Sequence, residues 1–361
     1  MEKFPCPGCA AGMEFDPQTA GLKCPYCGAT APVPEGAAPV VEQNYEAFVK
    51  KLESEPLRPI AENALEVNCS TCGAAVAFQP PEVAGVCPFC ASAIVMQPKS
   101  AEPLIAPQGV LPFHVPKPQA TSIVKQWLGN RWFAPGDLQR LARTEAIAGV
   151  YLPVWTFDAV ADSDYIGQRG EYYYVTETYS AVENGRPVTR TRQVRHTRWH
   201  AAAGHVQNTF DDLLVPGSRS VDQDRFLELE PWRMENIKPY EPSYLAGFKA
   251  QRYQVALPEA FETAREMTTG PIRNTVCADI GGDEQRILQL ATTFSEVTFK
   301  HLLLPAWIGA YRYQGKVYQV LVNAWTGEVQ GARPYSAAKI ALLVLGILLA
   351  IFILWIVGKS G

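Results

Sequence analysis

The sequence predicts an α+β fold that contains two N-terminal zinc ribbons, a body of antiparallel sheet and helices, and one C-terminal transmembrane helix. Three observations lead to this prediction. Eight of the nine cysteines form two groups with identical spacing, apolar residues in the centre alternate between helical and two-residue periods, and an unbroken apolar run lies near the end. The predicted units are 1–34 for ribbon 1, 35–62 for a linker with a short helix, 63–98 for ribbon 2, 99–112 for a Pro-rich linker, 113–335 for the body and 339–358 for the transmembrane helix.

Each cysteine group consists of two Cys-x-x-Cys pairs, and the groups predict two metal sites. The predicted ligands are Cys6, Cys9, Cys24, Cys27, Cys69, Cys72, Cys87 and Cys90. Four thiolates bind one ion tetrahedrally, and a unit of about 30 residues needs that ion in order to fold. We therefore expect two Zn²⁺ ions. Iron is the alternative metal, and a redox-active dithiol is the alternative role of the Cys-Pro-x-Cys pairs.

Glycine and proline residues predict turns in the ribbons and the character of the linkers. Gly28 and Gly73 each follow the second cysteine of a pair, where the chain is expected to fold back toward the thiolates. The linkers are rich in proline and alanine, which predicts ribbons that are semi-independent of the body. Between the ribbons, Gln43 to Glu55 is predicted to form a short helix.

The body is predicted to contain helices and antiparallel hairpins in blocks. The strongest signal is Asn184-Gly185 between two alternating segments, which is typical of a β-hairpin. Strands are predicted at Tyr151 to Ala159, Glu171 to Val182, Val188 to Ala201, and in a meander from Arg286 to Ala332. Helices are predicted at Pro118 to Trp132, from Pro135 to Ile147, at Phe210 to Leu214, at Asp224 to Leu229, and at Pro258 to Ile280 with a break or kink at Gly270-Pro271.

The segment from Arg186 to His205 is the richest in polar side chains. It contains Arg190, Arg192, Arg195, Arg198, His196, His200 and Trp199. Arginines on one face of a hairpin can bind the phosphates of nucleic acid or lipid. They can equally form ion pairs with Glu171, Glu177 and Glu183 across the hairpin, and a net charge of −4 favours this second interpretation.

Catalytic signatures are absent from the sequence. It contains no P-loop, no Gly-x-Gly-x-x-Gly turn after a strand, no His-Glu-x-x-His and no triad pattern. Asp158, Asp162 and Asp164 could bind a cation, but acidic residues at a strand end are ordinary. Cys277, alone on an amphipathic helix, is predicted to be a small core residue. The sequence thus predicts a protein that is not an enzyme.

The run Ile340 to Val357 predicts a membrane span. Its eighteen residues lie between Lys339 and Lys359 and would extend about 27 Å as a helix, close to the thickness of a bilayer core. No signal peptide is visible at the N-terminus. The predicted location is the cell inner membrane, with a single pass and the N-terminal body in the cytoplasm.

Several motifs make the chain resemble a bacterial family of zinc-ribbon proteins. Besides the two ribbons, they are Trp132 to Pro135, Gly149 to Trp155, Phe210 to Val215, and Lys316-Val-Tyr followed by Asn323 and Thr326-Gly327. Members are often labelled TFIIB-type zinc-ribbon or primosomal protein N-prime-like, and one branch is known as YdjG-like. The resemblance implies a tail-anchored protein associated with phage-shock or SPFH-type membrane-scaffold proteins. Ala324-Trp325 departs from the Gly-Gln that relatives tend to carry.

These inferences predict a non-enzymatic, tail-anchored membrane adaptor whose cytosolic zinc ribbons recruit protein partners. The alternative is a nucleic-acid-binding zinc-ribbon protein that uses the ribbons and the arginine-rich hairpin.

Overall fold

The computed structural model of the chain describes residues 4–34, 39–54, 65–69, 71–78, 84–90, 92–95, 105–129, 147–183, 186–313, 316–332 and 336–360. The predicted helix from Pro135 and the tip residues of the two predicted turns, 184–185 and 314–315, lie outside these residues.

Among the described residues, the body is built on an eleven-stranded sheet, and three very long strands dominate it. They are β10 (Ala148–Glu183), β11 (Arg186–Pro216) and β14 (Glu284–Tyr313). β10 lies in the centre and pairs antiparallel with β11 along one edge and with β14 along the other. The predicted hairpin about 184–185 is confirmed, because Glu183 pairs with Arg186.

Shorter strands complete this sheet and tie ribbon 2 to it. Those from the body are β9 (Gly109–Val110), β12 (Lys238–Pro239), β13 (Lys249–Gln251), β15 (Lys316–Asn323) and β16 (Val329–Gly331), and β4 (Gln43–Asn44) precedes the first helix. Ribbon 2 contributes β5 (Leu65–Asn68) and β6 (Ala75–Phe78), and β6 pairs with β13. Separate small sheets are β1 (Glu14–Asp16), β2 (Gly21–Lys23) and β3 (Thr30–Ala31) in ribbon 1, and β7 (Ala84–Val86) with β8 (Ala93–Val95) in ribbon 2.

Five helices are present in the described residues. They are α1 (Tyr45–Ser54), α2 (Lys117–Gly129), α3 (Gln223–Leu227), α4 (Leu257–Ile280) and α5 (Ala337–Ser360). α4 lies on the sheet with residues at helical spacing turned inward, among them Ile272, Val276 and Ile280, which form one apolar cluster with Ala161 and Tyr165 of β10. It continues through Pro271 as one helix, so the expected break does not occur.

The predicted α+β class is wrong, because the described chain is mostly sheet. Segments predicted as short strands with connections between them run through as strands of 36, 31 and 30 residues. Phe210 to Leu214, predicted to be a helix, belongs to β11, where Phe210 pairs with Ala159 and Leu214 with Thr156. Hydrogen bonds offered by a neighbouring strand outweigh a five-residue apolar spacing that also suits a helix.

The predicted membrane span is also corrected. α5 forms, but within the part of the chain that the structure describes no helix is both long enough and apolar enough to cross a bilayer. This finding overturns the transmembrane helix at 339–358, and with it the single-pass location in the cell inner membrane.

Candidate metal centres

Ribbon 1 brings its four cysteines together at one point. The Sγ atoms of Cys6 and Cys27 are 3.4 Å apart, and those of Cys9 and Cys24 are 3.5 Å apart. All four sulfur atoms lie within 4.8 Å of one another. Four thiolates at about 2.3 Å from a tetrahedral ion would be roughly 3.8 Å apart, so this group could hold a metal ion.

Ribbon 2 repeats the arrangement. The Sγ atoms of Cys69 and Cys90 are separated by 3.5 Å, and those of Cys72 and Cys87 by 3.7 Å. These four sulfur atoms also lie within 4.8 Å of one another, and the group could hold a second ion. The pairing of first with fourth and second with third cysteine is the same in both ribbons, as the identical spacing predicts.

Local backbone geometry explains why these residues converge. The chain turns back after a Cys-x-x-Cys pair with a left-handed residue, which is Gly28 (φ 75°) in ribbon 1 and Gly73 (φ 73°) in ribbon 2. The amide of Gly28 donates to the carbonyl of Cys24, and that of Gly73 to the carbonyl of Cys69. Glycine adopts this conformation without steric penalty, which confirms the role predicted for both residues.

Electrostatics of the thiols favour a bound cation. The backbone N–H of Cys27 lowers the pKa of the Cys24 thiol to about 6. Burial opposes ionisation of Cys69, but the backbone N–H groups of Cys72 and Thr71 lower its pKa to about 7. Burial raises the pKa of the Cys87 thiol to about 11. Four crowded thiols therefore cannot all ionise by themselves, whereas a divalent cation between them would stabilise all four thiolates.

Both ribbons share apolar core with the body. In ribbon 1, Phe15 belongs to one buried cluster with Phe113 and Trp307 of the body, and its amide donates to the Ala246 carbonyl at 2.9 Å. In ribbon 2, three of the four cysteines are buried in a cluster with body residues of β11, α3 and β15. The ribbons are therefore integrated with the body and are not semi-independent.

Equivalent aromatic residues in the two ribbons have opposite environments. Tyr26 in the Cys24-Pro-Tyr-Cys27 pair is 82% exposed, whereas Phe89 in the Cys87-Pro-Phe-Cys90 pair is 0% exposed. Phe89 is buried in the same cluster as Phe226 and Leu321, and its carbonyl accepts a hydrogen bond of 2.6 Å from Nε2 of Gln319. The aromatic side chain at this position is thus buried in the body in ribbon 2 and exposed to solvent in ribbon 1. Sequence reasoning missed this difference, for which the only local signal is phenylalanine in place of tyrosine.

The arginines that were considered as phosphate ligands or as partners of glutamates lie beside the glutamates across the hairpin. Arg190 contacts Glu183 at 2.7 Å, and Arg192 contacts Glu177 at 3.2 Å. Arg195 and Arg198 instead lie over the rings of Tyr172 and Tyr173. The ion-paired arrangement considered from the sequence is therefore present for part of the group.

The histidines and aspartates do not form one site. Nδ1 of His205 lies 3.0 Å from Asp164, and Nε2 lies 3.4 Å from Asp162, so one imidazole bridges the two carboxylates. His196 and His200 instead face Glu177 and Glu171. Asp158 is elsewhere, accepting hydrogen bonds from the amide of Asp212 and the hydroxyl of Thr298 next to Lys300. Cys277, predicted to be a core residue, is half-buried.

His301 is a buried polar residue that sequence reasoning missed. Its ring stacks on Trp155, with centroids 4.6 Å apart, and its Nδ1 lies 2.9 Å from the carbonyl of Ile105. Nε2 has no partner among the described residues. Burial lowers the pKa of His301 to about 4. No sequence pattern identifies it, because a lone histidine inside β14, next to the apolar residues Leu302 to Leu304, has no spacing partner.

Comparison with known proteins gives one informative similarity. The chain is 25% identical over 345 residues to the uncharacterized protein YdjG of Bacillus subtilis (strain 168), which covers 95% of this chain and 93% of that protein. The chain is YdjG-like. No protein-family profile matches the chain, and no solved structure matches it.

Proposed function

We propose that this chain is a non-enzymatic adaptor in which two Zn²⁺ ions stabilise the ribbons and ribbon 1 binds a partner protein. Zinc suits both centres because four thiolates are its usual structural ligands, and a site closed by four protein ligands leaves no position for substrate. Phage-shock and SPFH-type proteins are the candidate partners that the family resemblance implies.

The difference between Tyr26 and Phe89 carries the proposal. In ribbon 2 the aromatic residue between the cysteines is an anchor that docks the metal-bound turn onto another surface. Ribbon 1 holds the same element with 82% of Tyr26 exposed. Tyrosine is enriched at the centres of protein interfaces, because it combines a large apolar ring with a polar tip. We infer that Tyr26 docks ribbon 1 onto a partner as Phe89 docks ribbon 2 onto the body.

Site-specific cross-linking tests the proposal in living cells. The photoreactive residue benzoylphenylalanine replaces Tyr26 in the full-length chain, and in a matched control it replaces Tyr174, another exposed tyrosine, on the long hairpin. We expect Tyr26 to give an adduct with a protein that Tyr174 does not give. In addition, Tyr26→Ala should weaken capture of that protein by about 30-fold, equivalent to roughly 2 kcal/mol, with both metals retained. Unchanged capture by Tyr26→Ala would refute the proposal.

Nucleic-acid binding is the second candidate, and the segment 186–198 favours it, since it contains five arginines and no acidic residue. Contacts to phosphate release counterions, so binding would weaken steeply as salt rises. The purified full-length chain is therefore applied to single- and double-stranded DNA and to RNA at increasing salt. Salt-dependent retention that is lost on replacing Arg190 and Arg192 by glutamine would support this alternative, and absence of retention at low salt would remove it.

A further inference from the structure

The hairpin of β10 and β11 projects beyond the rest of the sheet. β14 begins at Glu284, which pairs with Gly170, and α4 ends at Ile280. Beyond that point β10 and β11 pair only with each other, over 171–183 and 186–198, among the residues that the structure describes. We name these two segments the distal hairpin. At about 3.3 Å per residue it is roughly 40 Å long.

The two faces of the distal hairpin differ in character. Residues that pair directly across the strands share a face. One face, which we name the charged face, consists of the pairs Glu171–Arg198, Tyr173–His196, Val175–Val194, Glu177–Arg192, Tyr179–Arg190, Ala181–Val188 and Glu183–Arg186. The opposite, neutral face consists of Tyr172–Thr197, Tyr174–Arg195, Thr176–Gln193, Thr178–Thr191, Ser180–Thr189 and Val182–Pro187. All three glutamates and four of the five arginines are on the charged face.

The charged face repeats every three pairs. Along β10 the order is glutamate, tyrosine and an aliphatic residue, repeated from Glu171 and again from Glu177. The glutamates form an acidic column on β10, and Arg186, Arg190, Arg192 and Arg198 form a basic column on β11. Between the charged pairs, Val175 and Val194 face each other, as do Ala181 and Val188. The charged face therefore has an acidic column on one strand and a basic column on the other, and two apolar pairs interrupt both columns.

This face continues the surface that α4 covers nearer the body. Residues of β10 on this side, such as Ala161 and Tyr165, are buried under α4. From Tyr165 to Tyr173 the strand keeps its alternation, since β10 and β11 pair without a register shift in this part. Past the end of α4 the same side becomes exposed, with 40% of Tyr173, 42% of Val175 and 42% of Tyr179 accessible. A helix-binding face therefore extends beyond the helix that the chain supplies.

We propose that the charged face of the distal hairpin binds an amphipathic α-helix of a partner protein, which continues the line of α4. Two strands are about 10 Å wide, which matches the diameter of one helix, and 40 Å of hairpin accommodates at most about 27 helical residues. The helix has apolar residues where it crosses the Val175–Val194 and Ala181–Val188 pairs, which lie six residues, or roughly 20 Å, apart along the hairpin. One flank is acidic and faces the basic column, and the other is basic and faces the acidic column.

Other occupants conflict with the arrangement of charges or with α4. A polyanion would bring its charge over the acidic column as well as the basic one. A second copy could pack its charged face against this one with its body at the opposite end of the hairpin. That arrangement would place the two acidic columns against each other, and likewise the two basic columns. A second copy with its body at the same end would force the two α4 helices together, because α4 stands on this face directly beside the distal hairpin. An amphipathic helix meets neither conflict.

Cross-linking from both faces tests the proposal. Benzoylphenylalanine replaces Tyr173 or Tyr179 on the charged face and, as the matched control, Tyr174 on the neutral face of the full-length chain in living cells. We expect protein adducts from the charged face only, and the cross-linked segment must have an apolar stripe at helical spacing with opposite charges on its flanks. Adducts with nucleic acid, adducts with another copy of this chain, equal adducts from both faces, or none would each overturn the proposal.

A synthetic peptide of the cross-linked segment then supplies the affinity measurement. Val175→Glu with Val194→Glu should raise its Kd at least tenfold, because these changes place charge under the apolar stripe. The control, Thr176→Glu with Gln193→Glu, adds the same charges at neighbouring positions on the neutral face and should leave Kd within twofold. Equal loss in both variants would show a nonspecific charge effect and refute the docking face. Because Tyr26 lies in ribbon 1, its cross-linking outcome is independent of this result.

Discussion

Replacing Phe89 by alanine should destabilise the whole protein, whereas the equivalent change in ribbon 1, Tyr26→Ala, should not. Phe89 is 0% exposed within the cluster that contains Phe226 and Leu321, and Tyr26 is 82% exposed. Complete burial of a phenylalanine side chain removes about 175 Å² from water, worth roughly 4 kcal/mol at 25 cal/mol per Å². Truncation of such a residue to alanine lowers the free energy of unfolding by about 3–5 kcal/mol, and truncation of an exposed residue by less than about 0.5 kcal/mol.

The assay is urea unfolding of the metal-loaded, full-length protein, followed by tryptophan fluorescence, with metal content measured for each variant. We expect the unfolding midpoint of Phe89→Ala to fall clearly below wild type and that of Tyr26→Ala to coincide with it, while each variant retains two ions. Equal midpoints for the two variants would refute the reasoning that ribbon 2 docks through Phe89. Loss of an ion from Phe89→Ala alone would show that the docking contact also supports metal binding.

Three further outcomes follow from other parts of the structure. Cys6→Ser with Cys9→Ser should release one of the two ions, as counted by elemental analysis, and abolish partner capture; retained capture would move the binding surface away from ribbon 1. Because burial lowers the pKa of His301 to about 4, the unfolded chain binds a proton more readily between pH 6.5 and 4. As the pH is lowered from 6.5 to 4, the free energy of unfolding should therefore decrease by about 3 kcal/mol more in wild type than in His301→Phe. Unfolding measured at several pH values tests this. Gly167→Ala should lower the free energy of unfolding by roughly 1–3 kcal/mol in the same assay, because its Cβ would lie 2.5 Å from the Arg286 carbonyl oxygen.

The metal centres could be predicted from the sequence because their chemistry is local. The spacing within a Cys-x-x-Cys pair determines a turn, and Gly28 and Gly73 supply the left-handed residue that closes it. How each ribbon packs against the rest of the chain does not depend on local sequence. Whether the aromatic residue of a turn is buried depends on partners such as Leu321, more than two hundred residues from Phe89 along the chain. Identical cysteine spacing therefore predicts identical sites in different surroundings.

The length of the strands was missed because glycines interrupt their apolar pattern. Glycine inside a strand usually indicates a bulge or an end, and Gly167 and Gly170 lie in the interval between the two strands predicted where β10 runs through. The structure gives another reason for both. A Cβ at Gly167 would meet the backbone of Arg286, and one at Gly170 would lie 2.8 Å from Thr197. These glycines allow neighbouring strands to approach and do not end the strand, which is a tertiary requirement that a single segment does not reveal.

α4 covers only the part of the β10–β11 pair that lies nearer the body. A strand pair that extends roughly 40 Å beyond its covering helix exposes apolar residues that a self-contained fold would bury or replace. The distal hairpin instead separates its charges into columns, and the like charges along each free edge oppose pairing with another strand. Its faces remain available while its edges do not. Ribbon 1 shows the same combination on a smaller scale, since its core side is buried against the body and Tyr26 is turned outward. Each surface continues an element that is buried nearer the body, β10 under α4 in one case and the core side of ribbon 1 in the other. Under the proposed adaptor function, such preformed surfaces would bind partners without first ordering their own chain.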